Sequence, residues 1–162
     1  MLPVDFLINL PLFQGLSSDQ VAQLQPLFSP CDYAVGTVIF QQGEPAEHLY
    51  AVLTGEVIVR FKPEDGPALV VARIRPGGVV GWSAALHSHK YTSAALTSEE
   101  SQLLRVRGTD LRSICEQQPD LSQVLLDNLA GIIAERLRST HPQVLALLQL
   151  GLGNPVQNEE VK

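Results

Sequence analysis

The sequence has few charged residues and a shortage of cations, and this shortage argues against one large class of function. Of its 162 residues only 17% are charged, and 11 Lys and Arg stand against 17 Asp and Glu, for a formal net charge of -6. Proteins that bind nucleic acids usually concentrate positive charge on one face. Here the basic residues are spread thinly along the chain. We therefore expect no nucleic-acid partner.

Cysteines and long apolar runs are also scarce. Cys31 and Cys115 are the only cysteines and lie in no CxxC pair, which predicts two free thiols in a reducing compartment. No apolar run approaches the roughly 20 residues that a membrane span needs. The first residues include Asp5 and no basic residue, unlike a secretory signal. The sequence thus predicts a cytoplasmic protein without a membrane partner.

What the sequence does contain is 45% apolar residues, enough for one hydrophobic core, and a long region of β-rich runs. Ser17 and Gln20 have the spacing of a capping box and predict a helix over about residues 18–28. Between Cys31 and Val106, Gly, Pro and Asp then separate short runs at intervals of about eight to twelve residues, which is typical of a β-sandwich or barrel. The predicted strands are Thr37–Phe40, Leu49–Leu53, Val57–Phe61, Leu69–Ile74, Tyr91–Leu96 and Gln102–Val106.

Helical spacing returns after Val106. A short helix is predicted to end near Gln117, and Pro119 is predicted to open a long helix over about residues 119–139. The apolar residues from Leu121 to Leu137 cover more than one face, which predicts a homodimer through this helix; the alternative is one face on the domain and some apolar exposure. Residues 140–162 are expected to form a short apolar helix after Pro142 and a disordered acidic tail.

In the β-rich region, Gly36, Gly43 and Gly55 have the spacing of tight turns between strands, where a positive φ favours glycine. Residues 36–44 read G-x-x-I-x-x-Q-G-E, and Tyr50-x-Val52 and Gly55 follow. This pattern resembles the cyclic nucleotide-binding domain of catabolite-activator-type regulators, protein kinase regulatory subunits and cyclic-nucleotide-gated channels. The resemblance implies a mainly β fold with flanking α-helices over residues 1–139: a jelly-roll-like β-roll, also called a double-stranded β-helix.

The resemblance also implies where a ligand would bind. In the family, a phosphate-binding cassette reads G-E-L-A-L and then R-[ST]-A; its Glu accepts a hydrogen bond from the ribose, and its Arg pairs with the cyclic phosphate. Here the cassette would fall within residues 78–94, with Trp82 in place of the Glu and Tyr91 in place of the Arg. Both charged anchors are therefore missing, so an ordinary cyclic nucleotide is not expected to bind tightly.

Two hypotheses about function remain open. In the first, the chain is a stand-alone, non-catalytic sensor of a cyclic nucleotide or another small anion. Backbone amides of the cassette would bind the anionic group, neighbouring side chains would form the walls of the site, and Arg136 would cover it as a lid. In the second, Trp82 closes the pocket and the chain is a ligand-free module that dimerises or docks on a protein partner. The candidate ligand-binding residues are Gly81, Trp82, Ser83, Ala84, Ala85, Tyr91, Thr92, Ser93 and Arg136.

Two further readings have weaker support. Gly81 followed by His87-x-His89 matches the opening of the cupin metal motif, but Ser93 and Ala94 stand where that motif needs a Glu. A cupin-like metal enzyme is therefore only a remote alternative, and with no other catalytic motif we expect no enzyme. Residues 140–162 are too few for a helix-turn-helix domain, so we expect none.

Overall fold

A computed structural model describes residues 1–85 and 89–148 of the chain, so the predicted tail from residue 149 onward lies outside the described residues. The described helices and strands follow the predicted order, with helices first, strands next and two helices last. The α-helices are α1 (Val4–Leu7), α2 (Ser18–Leu24), α3 (Gly108–Gln117) and α4 (Pro119–Leu148). The strands are β1 (Phe28–Tyr33), β2 (Val38–Phe40), β3 (His48–Thr54), β4 (Val57–Phe61), β5 (Leu69–Ile74), β6 (Val79–Val80), β7 (Ala94–Thr97) and β8 (Ser101–Arg107).

The strands form two four-stranded antiparallel sheets. One has the order β1-β8-β3-β6 and the other β2-β7-β4-β5, so strands distant in sequence become neighbours. The predicted mainly β fold, a jelly-roll-like β-roll with flanking helices, is confirmed. Within the described residues, no helix combines the length and the apolar character needed to cross a membrane.

Local sequence signals explain both ends of α2. Ser17 accepts a hydrogen bond from the Gln20 amide, while the Gln20 side chain accepts one from the Ser17 amide, so the predicted capping box is present. The predicted end of this helix at residue 28 is wrong: α2 stops at Leu24, because Pro26 lacks an amide hydrogen and the chain tightens into a 3₁₀ turn before β1.

The last helix is longer than the sequence predicts. Helix α4 passes through Pro142 and continues to Leu148, the last described residue, whereas the sequence predicts an end near residue 139. Pro142 removes one main-chain hydrogen bond, but the residues after it, Gln-Val-Leu-Ala-Leu-Leu, are mostly good helix formers. A missing amide therefore interrupts the hydrogen-bond ladder of α4 without ending the helix.

The core divides into two apolar clusters. One joins the terminal helices to the first sheet and includes Phe13, Leu121 and Leu125. The other lies between the two sheets and contains Phe40, Tyr50 and Tyr91. Any ligand that entered the β-roll would have to share space with the second cluster, because these rings lie between the sheets.

Candidate functional site

The cassette segment begins at Gly81, where a short strand turns sharply away from its sheet. Gly81 directly follows β6 and has a φ of 75°, in the left-handed region that favours glycine. A Cβ at this position would lie 2.8 Å from the His48 carbonyl oxygen and 3.2 Å from the rings of Phe40 and Tyr91. The cassette backbone is therefore packed directly against the interior of the β-roll.

A single 3₁₀ turn, Trp82–Ala84, stands where the sequence predicts amides for an anion. The Ala84 amide donates to the Gly81 carbonyl at 3.0 Å, and the Ala85 amide donates to the Trp82 carbonyl at 3.1 Å. Both amides are thus used within the turn, and neither residue lines the cavity next to it. In this conformation the turn satisfies the Ala84 and Ala85 amides internally, whereas the sequence predicts that they face an anion.

Tyr91 fills the interior of the β-roll beside the cassette. Its side chain is only 5% exposed, and its ring stacks on Phe40 with a centroid distance of 3.7 Å and an interplanar angle of 14°. Its hydroxyl donates to the His48 carbonyl at 2.7 Å and accepts from the His48 amide at 3.0 Å. Burial raises the pKa of this hydroxyl to about 12. Tyr91 is therefore a neutral side chain with its hydroxyl already engaged on both sides.

Trp82 lies at the edge of this region. It is half-buried and packs against the apolar cluster of the terminal helices, while it also lines the cavity next to the cassette. Trp82 therefore packs on the helical side of the cassette and forms only one wall of the cavity. Tyr91 and Phe40, more than Trp82, take up the space inside the β-roll.

The cavity left at the cassette is small. It measures about 30 Å³, close to the volume of one water molecule, whereas sites for small organic ligands usually measure about 300–1,000 Å³. Seven of the nine predicted residues line it: Gly81, Trp82, Ser83, Tyr91, Thr92, Ser93 and Arg136. Sequence reasoning missed Phe40, Val59 and Val80, whose β-strand alternation indicated burial but no role in a site.

Arg136 reaches this cavity from α4, across more than forty residues of sequence from Ser93. The side chain is half-buried, and burial lowers the pKa of its guanidinium group. Helix α4 thus brings Arg136 to the same cavity as the cassette residues; its role as a lid stays a prediction.

The histidine pair of the cupin-like reading lies only in part within the described residues. His89 is exposed, and His87 lies outside the described residues. No group of three or more His, Cys, Asp or Glu side chains with metal-binding geometry occurs in the described part of the chain.

Comparisons with known proteins show the family to which the chain belongs. The family model described as "Cyclic nucleotide-binding domain" matches residues 30–118. A CRP-like cAMP-activated global transcriptional regulator from Mycobacterium tuberculosis is 27% identical over 144 residues, which are 89% of this chain and 62% of that protein. The chain therefore spans about three fifths of this relative.

Solved structures show the same fold. A putative cyclic nucleotide-binding protein from Geobacter metallireducens aligns with a TM-score of 0.75 and 26% identity, over 85% of this chain and 99% of that one. The catabolite activator protein of Thermus thermophilus aligns with a TM-score of 0.68 and 28% identity, over 85% of this chain and 62% of that one.

Proposed function

Because the chain belongs to the cyclic nucleotide-binding domain family, we propose that it is a non-catalytic regulatory module whose cassette cavity is occupied by its own side chains. The observation that carries this proposal is the position of Tyr91, which stacks on Phe40 and engages both backbone groups of His48. A module of this kind acts through its surface and not through a cyclic nucleotide. Two free cysteines fit a reducing cytoplasm as its location.

The cost of emptying the cavity supports the closed state. A ligand the size of a cyclic nucleotide would need Tyr91 to leave its stack and release its two hydrogen bonds. Leaving a buried donor or acceptor without a partner costs about 1–3 kcal/mol, and His48 offers one of each. No carboxylate or arginine stands at the two cassette anchor positions to offset this cost, since they hold Trp82 and Tyr91.

A second candidate function is the sensing of a small anion at the same cassette. One observation favours it: Arg136 lines the cavity together with Thr92 and Ser93, so a cation and two hydroxyl groups surround one space. A ligand would enter only if the β-roll opened from the described conformation. Such a ligand would change how α4 packs, which is how binding could shift the population of a regulatory state.

The surface that the proposal assigns to regulation is the outer face of α4. Leu121, Leu125 and Leu129 are buried against the domain, so one part of the apolar stripe is already used. On another part, Leu126 is 49% exposed, and the exposed residues Ala130 and Ala134 follow it at helical spacing. Small residues let two helices approach closely, so we propose a second copy of this chain as the partner.

Isothermal titration calorimetry tests the closed cassette. Cyclic AMP, cyclic GMP and cyclic di-GMP are titrated up to about 1 mM, at which a dissociation constant of that size would half-fill the sites. We expect no saturable heat from the wild-type protein. Saturable one-site binding that disappears in Arg136→Gln would contradict the closed cassette and establish the sensor, and binding that survives this substitution would contradict both functions.

Sedimentation velocity at tens of micromolar tests the dimer. We expect a dimeric wild type and a monomeric Leu126→Glu variant, because a buried carboxylate at the centre of the interface would be unpaired. The matched control is Val70→Glu on β5, since Val70 has a similar exposure of 41% but lies on a sheet. A monomeric wild type, or dissociation of both variants, would contradict the assignment to α4.

A further inference from the structure

A second, much larger cavity lies outside the cassette. It is a groove of about 590 Å³ between the turn that follows β5 and one side of α4, and it lies within the usual size range of small-molecule sites. Pro11 and Gln14 also line it. Neither the family cassette nor the sequence motifs include this groove, so its chemistry has to be derived from the residues that line it.

One wall of the groove is held in place by the backbone. In the turn after β5, the Gly78 amide donates to the Arg75 carbonyl at 3.0 Å, and Gly77 and Gly78 exchange hydrogen bonds of 2.9 Å with Val52 of β3. Gly77 has a φ of 96°, and a Cβ there would lie 3.2 Å from Pro11. The wall is therefore preorganised, which lowers the entropy cost of binding.

The floor of the groove is apolar. Ile74, Pro76 and Val79 contribute to it from the sheet side, and Pro11 and Ile132 contribute from the helical side. The α4 wall contains Gly131, where an added Cβ would meet no atom within 4 Å. The groove thus has space at the helix for the body of a ligand and apolar surface to cover it.

The rim of the groove carries arginines. Arg73 and Arg75 share the carboxylate of the buried Glu56, with N–O distances of 3.0 and 3.5 Å, so two cations share one negative charge. The hydrogen bond from Ser98 and the two arginines hold the pKa of the Glu56 carboxyl below its usual range, which keeps this charge in place. The Arg73 and Arg75 side chains are 54% and 77% exposed, so both remain accessible from solvent.

The charged groups around the groove are mostly positive. The guanidinium groups of Arg73, Arg75 and Arg136 are joined by that of Arg138, which pairs with the lining residue Glu135 at 2.7 Å. Against these four cations, the part of the chain that the structure describes places the carboxylates of Glu56, Asp127 and Glu135. These described groups sum to one positive charge, in a chain whose total is -6.

We propose that this groove is a binding site for a small organic monoanion with an apolar body, such as an aryl or acyl carboxylate or sulfonate. The body would lie on the Ile74, Pro76 and Ile132 floor, and the anionic group would face Arg75 and Arg136. The site goes beyond the proposed function, since it needs no opening of the cassette. Arg136 lines both the groove and the cassette cavity, so an occupant would contact a residue of each.

Fluorescence titration with 8-anilinonaphthalene-1-sulfonate tests the site, because this probe is an aryl monoanion that brightens in apolar surroundings. We expect one probe per chain. Gly131→Leu places a side chain into open groove space while improving helix propensity, and we expect it to weaken binding at least about tenfold. Ala22→Leu, at an exposed position of α2 outside both the groove lining and the proposed dimer face, is the matched control and should leave binding unchanged.

A second pair of variants tests the charge. Arg75→Gln should weaken binding of the sulfonate about five- to tenfold, as expected for a partly exposed charge-assisted contact, and should leave binding of the uncharged N-phenyl-1-naphthylamine unchanged. Arg60→Gln on β4, outside the groove, should affect neither probe. Thermal unfolding of each variant checks that the fold is intact.

Three outcomes would overturn the proposal. Several weak probes per chain would indicate unspecific apolar surface, and equal effects of Gly131→Leu and Ala22→Leu would place the probe elsewhere. Sedimentation velocity of the same samples supplies the third outcome: if the probe binds only where the chain is monomeric, a second copy covers the groove. Cyclic nucleotide calorimetry does not enter this test, so the groove and the closed cassette can fail separately.

Discussion

The two cavities that meet at Arg136 differ about twentyfold in volume, about 30 Å³ at the cassette and about 590 Å³ at the groove. The cassette cavity lies between two sheets, and aromatic rings occupy the space between them. The groove lies between a sheet turn and a helix, where Gly77, Gly78 and Gly131 contribute no side chains. The fold alone therefore does not determine the volume of its ligand cavity, because the size of the inward-facing side chains decides how much space remains.

The same comparison extends to charge. The cassette cavity has Arg136 as its one lining cation among residues of the described chain, and its most buried polar group is the neutral Tyr91 hydroxyl. The groove gathers Arg73, Arg75 and Arg136 from two elements. An anion therefore meets more positive charge outside the β-roll than at its cassette.

Substitutions of Tyr91 should have the largest effect on the free energy of unfolding, and they test whether this residue closes the cassette. Tyr91→Ala should lower the free energy of unfolding by about 3–5 kcal/mol, because it removes a buried ring and leaves a cavity. Tyr91→Phe keeps the ring but strips the hydroxyl from His48, and should cost about 1–3 kcal/mol. Urea unfolding of the two variants measures both values, and a loss below about 1 kcal/mol for Tyr91→Ala would mean that Tyr91 does not close the cassette.

Alanine substitutions at two glycines should change the stability by smaller amounts and in opposite directions, one at the cassette and one at the groove. Gly81→Ala should destabilise by about 1–2 kcal/mol or more, since alanine is strained at positive φ and its Cβ would lie 2.8 Å from the His48 oxygen. Gly131→Ala should stabilise by up to about 1 kcal/mol, because its helical site has free space. Thermal unfolding measures both changes in stability. If both substitutions stabilise the protein, or both destabilise it, the backbone is packed alike at the cassette and at the α4 wall of the groove.

Local sequence signals predicted much of the fold and part of the site. Gly36, Gly43 and Gly55 were expected to mark tight turns, and all three have positive φ. The capping box of α2 and most strands follow from turn chemistry and alternation, which act over a few residues. The resemblance to the family implies the cassette position, and seven of the nine residues predicted from it line one cavity.

The remaining features depend on contacts between distant parts of the chain. Strand β6 has only two residues, and pairing with Tyr50 and Ala51 defines it. The inward direction of Tyr91 depends on Phe40 and His48, more than forty residues earlier. The groove forms only where the turn after β5 meets α4. The periodicity of one segment carries no information about its contacts with distant segments. For this reason the hypothesis of a closed pocket named Trp82 and not Tyr91 as the residue that closes it.

The hydroxyl of Tyr91 has one more consequence, which concerns the edge of a sheet. Val52 and Tyr50 of β3 pair with the Gly77–Val80 segment, and that neighbour ends at Gly81, before it reaches His48. Tyr91 then supplies a donor and an acceptor at the next position, as a strand residue would. Unpaired strand edges are templates for pairing with other chains. By completing the hydrogen-bond ladder with a side chain, Tyr91 protects this end of β3 from self-association through its backbone.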